Sequence, residues 1–209
     1  MEIKFDIPFR CPENIAPHLQ RVFHGEYDVP LAFINPSIVD LGANMGSFTL
    51  WALHRFPGAQ IFSYEPHPET FRYLEQNTKP YPQIRIYNHG IGTPGERFLH
   101  EGRYNAGEAS FHSSPDQTGE GVSLEVMSPL SLPSADILKL DIEGCEMEVL
   151  EPLLSAGRDY SLILLEWHSH SLRERIEALL SPNYNLIGAD VQNIKGRGVN
   201  KYLNKKVEL

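Results

Sequence analysis

The stretch VDLGANMG, residues 39–46, decides the fold because it joins a buried strand to a helix through a turn with a glycine at each end. Gly42 permits a tight turn and lets a ligand approach the backbone, where a Cβ atom would clash. Asn44 tolerates left-handed backbone geometry better than most residues. Gly46 opens the predicted helix, whose N-terminal amides attract an anion. The pattern therefore predicts a strand–turn–helix unit with a ligand at the turn.

Short apolar runs alternate with helical patterns on the C-terminal side of this stretch, which predicts βαβ units and a mostly parallel, doubly wound α/β sheet. The last two apolar runs predict a closing antiparallel pair. The predicted strands are 37–41, 60–64, 84–87, 136–140 and 161–165, the predicted helices start near 47, 71, 146 and 172, and the closing pair is 184–189 with 199–203.

Two regions depart from this alternation. We expect residues 1–34 to form a helical cap over the sheet, because the apolar residues between Ile15 and Phe23 have helical spacing. Residues 93–134 predict a long irregular insertion in which only Val122 to Met127 resembles a strand. Long insertions often carry function, so we expect this one to form a substrate-side wall or lid of a single domain, residues 1–209. The polar and aromatic residues that suggest this are Tyr104, Asn105, Ser110, Phe111 and His112.

Composition and charge restrict the partners and the compartment. The chain has 209 residues and a net charge of −9, from 27 acidic and 18 basic residues. A negative average field disfavours nucleic acid and anionic membranes as main partners. The chain has no long apolar run or signal-like N-terminus, and its cysteines, Cys11 and Cys145, are far apart, so we expect a cytoplasmic protein with free thiols.

A carboxylate follows the second predicted strand. Glu65 lies 19 residues after Gly46, where an acid can accept both hydroxyl groups of a ribose. Such a site fits a dinucleotide or S-adenosylmethionine. The loop reads GxxxG and lacks one glycine of the dinucleotide pattern GxGxxG. Asp40, interpreted as an acid inside the loop, would repel a pyrophosphate and favour the cationic amino group of a methionine.

The chain resembles the FkbM-type class I methyltransferases. The resemblance rests on Gly25-Glu26-Tyr27, on residues 39–49, on Tyr64-Glu65-Pro66-His67-Pro68 with Leu74 and Asn77, on residues 138–150, and on Leu165-Glu166 with His168. It implies a seven-stranded sheet, S-adenosylmethionine as donor, and O-methylation of a small molecule or glycan. The matched positions that would bind the donor are Asp40, Gly42, Asn44, Gly46 and Glu65.

Three further side chains come directly after predicted strands at the sheet edge where ligands bind in open α/β folds: Asp141, Glu143 and His168. We interpret them as the catalytic group that handles the acceptor hydroxyl, with His168 as base and Asp141 orienting the donor amine or the acceptor. Their structural alternatives are helix capping by Asp141 and a dipole-stabilised acid at Glu143. A divalent cation is the other way to activate a hydroxyl, and the same two carboxylates and imidazole could serve that route. The carboxylates suit Mg²⁺ or Mn²⁺, and the histidine leaves room for an iron-like or zinc-like ion. The other histidines lack zinc-like spacing.

The sequence therefore predicts an S-adenosylmethionine-dependent O-methyltransferase that acts on a small-molecule or saccharide acceptor. Two alternatives stay open. An NAD-dependent oxidoreductase could use a similar sheet, although Asp40 and the missing glycine disfavour it. A non-catalytic protein that binds S-adenosylmethionine is the second, although Asp40, Glu65 and Asp141 are all present.

Overall fold

The fold was obtained as a computed structural model, which describes residues 7–13, 15–100, 121–192 and 196–207. The positions Tyr104, Asn105, Ser110, Phe111 and His112 lie outside the described residues. The helices are α1 (Ala16–Arg21), α2 (Ser47–Arg55), α3 (Pro68–Thr78), α4 (Glu146–Ser155) and α5 (His170–Leu180). The strands are β1 (Ser37–Leu41), β2 (Gln60–Tyr64), β3 (Ile84–Tyr87), β4 (Gly90–Ile91), β5 (Gly95–His100), β6 (Gly121–Met127), β7 (Ile137–Leu140), β8 (Leu162–Trp167), β9 (Tyr184–Gln192) and β10 (Arg197–Asn204).

The main sheet has seven strands in the order β3-β2-β1-β7-β8-β10-β9. Strands β1, β2, β3, β7 and β8 are parallel, and β10 is antiparallel to both of its neighbours. The chain moves outward from β1 to β3 and then returns to the other side of β1 at β7. The switch of direction lies between β1 and β7, and open α/β sheets bind their ligands at such a point. The predicted parallel sheet and its closing antiparallel pair are confirmed.

Both faces of the sheet are covered, because its central strands are apolar on both sides. On one face, Val39 and Leu140 pack with Leu150 of α4 and Ile176 of α5. On the other face, Ile38 and its neighbours pack with the aromatic side chains of α2 and with residues 22–29. The two layers hold the carboxyl ends of the strands at one edge.

The N-terminal segment forms α1 followed by a π-helical turn at Val22–Glu26. Val22, Phe23 and Tyr27 are buried against α2, and the ring centroids of Tyr27 and Phe48 are 5.0 Å apart. The helical pattern expected for this segment is therefore present. Among the described residues, no helix has both the length and the apolar character that crossing a bilayer requires.

The described part of segment 93–134 contains more regular structure than the sequence indicated. Strands β4, β6 and β5 form a second, three-stranded sheet, in which β5 pairs antiparallel with β6. The prediction of only one strand-like run was wrong, because β5 was missed. Its sequence, GERFLH, begins with Gly and two charged residues, which hide the alternation of buried and exposed positions.

Candidate active site

The loop after β1 is held tightly by its own backbone. Gly42 has φ +72°, and a Cβ atom there would lie 1.8 Å from the carbonyl oxygen of Asp141. Glycine is therefore required where the loops after β1 and β7 touch. Asn44 has φ +53° and Gly46, which precedes α2, has φ +94°. The left-handed geometry expected at these positions is present.

The amides of this loop are already occupied. Gly42 N and Ala43 N donate to the carbonyl oxygen of Tyr64 at 3.0 and 2.9 Å. Asn44 N donates to Glu65, Met45 N to the side chain of Asn44, and Gly46 N to the carbonyl oxygen of Ala43. A pyrophosphate needs free amides in such a loop. The hydrogen bonds therefore disfavour anion binding by these five amides.

Glu65 lies at the edge of the sheet, directly after β2, as the sequence indicated. Its two carboxylate oxygens accept hydrogen bonds of 2.9 Å from Asn44 N and His67 N. The side chain is nearly buried, and burial raises its pKa to about 7 although both backbone hydrogen bonds act in the opposite direction. The carboxylate is fixed in place beside an open cavity.

Asp40 occupies a different position from the one we expected. It lies within β1, is fully buried, and accepts a 2.6 Å hydrogen bond from Thr49 Oγ1. Lys139, its neighbour on β7, places its Nζ 3.3 Å from Asp40 Oδ1. The interpretation of Asp40 as an acid inside the loop was wrong, because its side chain points from β1 into the core and is held there by Thr49 and Lys139.

The buried ammonium of Lys139 is a site residue that sequence reasoning missed. Its Nζ donates to the carbonyl oxygen of Gly42 at 2.7 Å and lies 3.7 Å from Asp141 Oδ2. Lys139 thus links the loop after β1 with the first residue after β7. A lysine inside an otherwise apolar strand was the available signal, because a buried lysine requires a charged partner.

Asp141, Glu143 and His168 lie together, as the sequence indicated. His168 Nε2 is 3.8 Å from Asp141 Oδ1 and 3.3 Å from Glu143 Oε2. Asp141 directly follows β7, and His168 directly follows β8. Glu143 has φ +51°, a strained geometry for a non-glycine residue. The side chains of Asp141, Glu143 and His168 are 28%, 26% and 16% exposed, respectively. Asp141 and Glu143 face the cavities described below, whereas both ring nitrogens of His168 are buried.

A fourth acid, Glu146, lies behind the histidine and was not singled out from the sequence. It is fully buried at the start of α4, and its Oε1 lies 3.4 Å from His168 Nδ1. The same oxygen accepts hydrogen bonds from Ile142 N and Gly144 N. Glu146 therefore holds both the turn after β7 and the rear of the imidazole ring.

The acids around His168 control its protonation. Burial alone would lower the pKa of His168, but Glu146, Glu143 and Asp141 overcome this effect and raise the pKa to about 10. Burial also raises the pKa of Glu143 to about 7, partly opposed by His168. An imidazole with such a raised pKa already carries its proton at neutral pH. In this arrangement the base role that the sequence suggested for His168 is disfavoured.

Two cavities meet at this cluster. The first, which we call the Glu65 cavity, is open to solvent and has a volume of about 660 Å³. The second, the Glu26 cavity, lies on the side of the N-terminal segment, is also open to solvent and has a volume of about 790 Å³. The residues that line both cavities are Gly42, Asn44, Asp141 and Glu143. A group transferred from one cavity to the other would therefore pass the two acids.

The linings of the cavities differ in character. The Glu65 cavity includes the buried apolar side chains of Ile91 and Leu99 from the small sheet, and also Cys145. The Glu26 cavity brings charged groups of both signs together. These groups include Arg21, Glu26, Lys139, Glu166 and Arg197. The first cavity suits a partly apolar ligand, and the second suits a polar one.

Three of the curated proteins to which the chain is similar show low identity over most of its length. Methyltransferase sdnD of Sordaria araneosa is 25% identical over 194 residues, covering 74% of this chain and 75% of the relative. Hexuronic acid methyltransferase AglP of Haloferax volcanii is 24% identical over 181 residues (77% and 70%). The 2-O-methyltransferase NoeI of Sinorhizobium fredii is 22% identical over 188 residues (78% and 77%). All three names describe methyltransferases.

A solved structure gives the same architecture. Fibrillarin of Aeropyrum pernix, solved with natively bound S-adenosyl-L-methionine, aligns with a TM-score of 0.53 at 12% identity, covering 86% of this chain and 70% of that chain. At this identity the likeness concerns the fold alone. The model of the methyltransferase FkbM domain matches residues 40–186, which include the loop after β1, Glu65, Asp141, Glu143 and His168. On this match, the chain belongs to the FkbM methyltransferase domain family.

Proposed function

We propose that this methyltransferase uses S-adenosylmethionine and methylates a hydroxyl group of a small-molecule or saccharide acceptor. The single observation that carries the proposal is the junction of the Glu65 cavity and the Glu26 cavity at Asp141 and Glu143. One cavity would hold the donor and the other the acceptor, and the methyl group would cross at their junction.

The donor would lie in the Glu65 cavity. The Glu65 carboxylate can accept hydrogen bonds from both ribose hydroxyls, and Ile91 with Leu99 offers apolar surface to the adenine ring. Gly42, Asn44 and Gly46 would then serve by shape, because the amides of their loop are already bonded within the protein. The five bonded amides of this loop cannot donate to a pyrophosphate, which favours S-adenosylmethionine over a dinucleotide.

Asp40 would act indirectly. Its carboxylate holds the ammonium of Lys139, which in turn holds the carbonyl oxygen of Gly42 and faces Asp141. Asp40 is therefore a positioning residue for the loop. Asp141, which lines both cavities, would orient the acceptor rather than the amino group of the donor.

The acceptor would enter the Glu26 cavity. Its mixture of acids and bases suits a molecule with many hydrogen-bonding groups. The names of two relatives, a hexuronic acid methyltransferase and a 2-O-methyltransferase, point in the same direction. A hexuronic acid offers only oxygen atoms as nucleophiles, which supports transfer to oxygen.

Methyl transfer does not require covalent catalysis by the protein, because the sulfonium group of S-adenosylmethionine already activates its methyl group. The protein has to align the acceptor oxygen, the methyl carbon and the sulfur atom, and it has to promote loss of the hydroxyl proton. Asp141 and Glu143, which line the junction of the cavities, would carry out the second task, and His168 would position these two carboxylates.

The test is methyl transfer from isotopically labelled S-adenosylmethionine to a panel of sugars and uronic acids, followed by mass spectrometry of the products. We expect one labelled methyl group on an acceptor oxygen and one S-adenosylhomocysteine per turnover. His168→Ala is expected to reduce turnover by about 10²–10⁴-fold, whereas the matched control His170→Ala, an exposed neighbour, keeps it. Full turnover in His168→Ala would remove this residue from the catalytic group.

A further inference from the structure

We propose that Asp141, Glu143 and His168 bind one divalent cation of the Mg²⁺ or Mn²⁺ type at the junction of the two cavities, where the cation would hold the acceptor hydroxyl. This inference rests on the proposed function for the role of the cation. The cation site itself rests on the geometry of the three side chains.

One ligand atom of each side chain can be chosen so that all three lie within 4.8 Å of one another. The 3.3 Å and 3.8 Å separations from His168 Nε2 to the two carboxylates are close to those of adjacent ligands on one octahedral ion, about 3 Å for bonds of about 2.1 Å. Only small side-chain adjustments are needed for the three ligand atoms to coordinate one ion.

The surroundings of the set also match a metal site. A histidine that binds a metal through one ring nitrogen almost always directs the other at a carboxylate or carbonyl group. His168 does so, because Nε2 faces Asp141 and Glu143 while Nδ1 lies 3.4 Å from the buried Glu146. Lys139 contacts the other oxygen of Asp141, Oδ2, and thereby leaves Oδ1 directed at the site.

A buried carboxylate oxygen without a hydrogen bond is the second, independent observation. Glu146 is fully buried, and within the described parts of the chain its Oε2 has no hydrogen-bond partner. Burying a charge is costly unless it is paired. Three acids thus surround one imidazole, and an added cation would neutralise part of this excess negative charge. The two oxygen ligands favour Mg²⁺ or Mn²⁺, and the single nitrogen is compatible with Mn²⁺.

Three protein ligands leave three positions of a six-coordinate ion open toward the cleft. Two adjacent oxygen atoms of a saccharide can occupy two of these coordination positions. The acceptor is therefore a molecule with oxygen atoms on neighbouring carbons. The bound hydroxyl releases its proton to water more readily than a free one. Its oxygen then forms the new C–O bond while the C–S bond breaks, and the electron pair of that bond stays on sulfur in S-adenosylhomocysteine.

The test is titration of the metal-stripped, full-length protein with Mn²⁺, followed by the electron paramagnetic resonance signal of the free ion. We expect about one bound ion per chain. Asp141→Asn and His168→Ala are expected to weaken binding about tenfold or more, whereas the exposed controls Glu174→Gln and His170→Ala keep wild-type affinity. Glu143→Gln serves as a further ligand variant, and circular dichroism identifies the variants that fold.

The outcomes separate this inference from the proposed function. No loss of the free Mn²⁺ signal in the wild type would overturn the cation site, and unchanged affinity in the folded ligand variants would overturn its assignment to these residues. Calorimetry with S-adenosylhomocysteine in EDTA tests the donor site independently. Nucleoside binding without Mn²⁺ binding would refute only the cation, and Mn²⁺ binding without nucleoside binding would refute only the proposed donor.

Discussion

At the scale of single residues, the burial of charged side chains shapes the site. Asp40 and Lys139 are adjacent on neighbouring parallel strands and are almost completely buried together. Breaking a buried ion pair by removing one partner leaves a charge without compensation in a medium that solvates it poorly. The pair therefore fixes both the strands and the loop that Lys139 holds.

Asp40→Asn is expected to lower the free energy of unfolding by about 3 kcal/mol, because the Lys139 ammonium loses its closest acid. Urea denaturation measures this change. The double variant Asp40→Asn/Lys139→Met should be more stable than Asp40→Asn alone, since it leaves no buried charge at this position. Lys206→Met, which breaks an exposed ion pair with Asp159, is the control and should change little. A loss from Asp40→Asn as small as the control's would contradict the structural role of the pair.

Glu65 makes stability depend on pH. Its pKa is about 7 in the folded chain and 4.5 ordinarily, so the folded state holds its proton more tightly than the unfolded state. Stability from this group is fully present below pH 4.5 and is lost as the pH rises to about 7. The ligand-free wild type should therefore lose stability relative to Glu65→Gln across this range. If the difference in unfolding free energy between the wild type and Glu65→Gln does not change with pH, the raised pKa of the buried carboxylate is refuted.

Sequence reasoning was most successful for side chains that follow a strand. Glu65, Asp141 and His168 were predicted at one edge, and they lie there, because parallel strands β2, β7 and β8 end at the same side of the sheet. The prediction for Asp40 was wrong. Asp40 is the penultimate residue of β1, and the sequence alone does not show whether the side chain at such a position faces the loop or the core. Its partner on β7, Lys139, was missed although a lysine inside an apolar strand indicated a buried charged partner.

At the scale of elements, the contact between the loops after β1 and β7 places the two halves of the site together. Gly42 lies so close to the carbonyl oxygen of Asp141 that a side chain cannot be accommodated. This contact joins the loop after β1 to the turn after β7, so the fold itself sets the spacing between the two loops.

Gly42→Ala is expected to cost more than about 4 kcal/mol or to prevent folding, because a backbone clash adds to the cost of a positive φ. Gly157→Ala is the matched control, since Gly157 has φ +74° but no atom within 4 Å of a built Cβ. The control should lose only about 1–2 kcal/mol. Equal losses in the two variants, measured by thermal denaturation, would show that the close approach of the loops is unimportant.

The small sheet of β4, β5 and β6 supplies one wall of the Glu65 cavity through Gly90, Ile91 and Leu99. We therefore expect hydrogen exchange of residues 90–99 to slow when S-adenosylhomocysteine binds. Strand β9, at the far edge of the main sheet, is the internal control and should not change. Identical exchange of residues 90–99 with and without the ligand would remove this wall from the donor site.

The strands and helices of the main sheet were easier to predict than the small sheet of β4, β5 and β6. Strands buried on both faces are continuous apolar runs, and the helices between them have a clear apolar face. The small sheet contains strands of two to seven residues, several of whose positions are exposed. Its pairing depends on contacts between β4 and β6, which are distant in sequence, so local patterns do not reveal it.

At the scale of the whole molecule, the order of the strands explains how distant parts of the sequence form one site. The switch of direction between β1 and β7 brings the loop after β1, Glu65, Asp141 and His168 to one edge. The N-terminal segment lines one side of the Glu26 cavity, and the small sheet lines one side of the Glu65 cavity. The fold thus provides two adjoining compartments with the acids between them.

Isothermal titration calorimetry with S-adenosylmethionine and with NAD⁺ tests the central claim most directly. We expect S-adenosylmethionine to bind with a stoichiometry of one and NAD⁺ to give no binding heat. Glu65→Ala should weaken S-adenosylmethionine binding by about 1.5–3 kcal/mol, the contribution of hydrogen bonds to a charged group, whereas Glu69→Ala, an exposed acid on α3, should not change it. Binding of NAD⁺ in place of S-adenosylmethionine, or unchanged affinity in Glu65→Ala, would contradict the account.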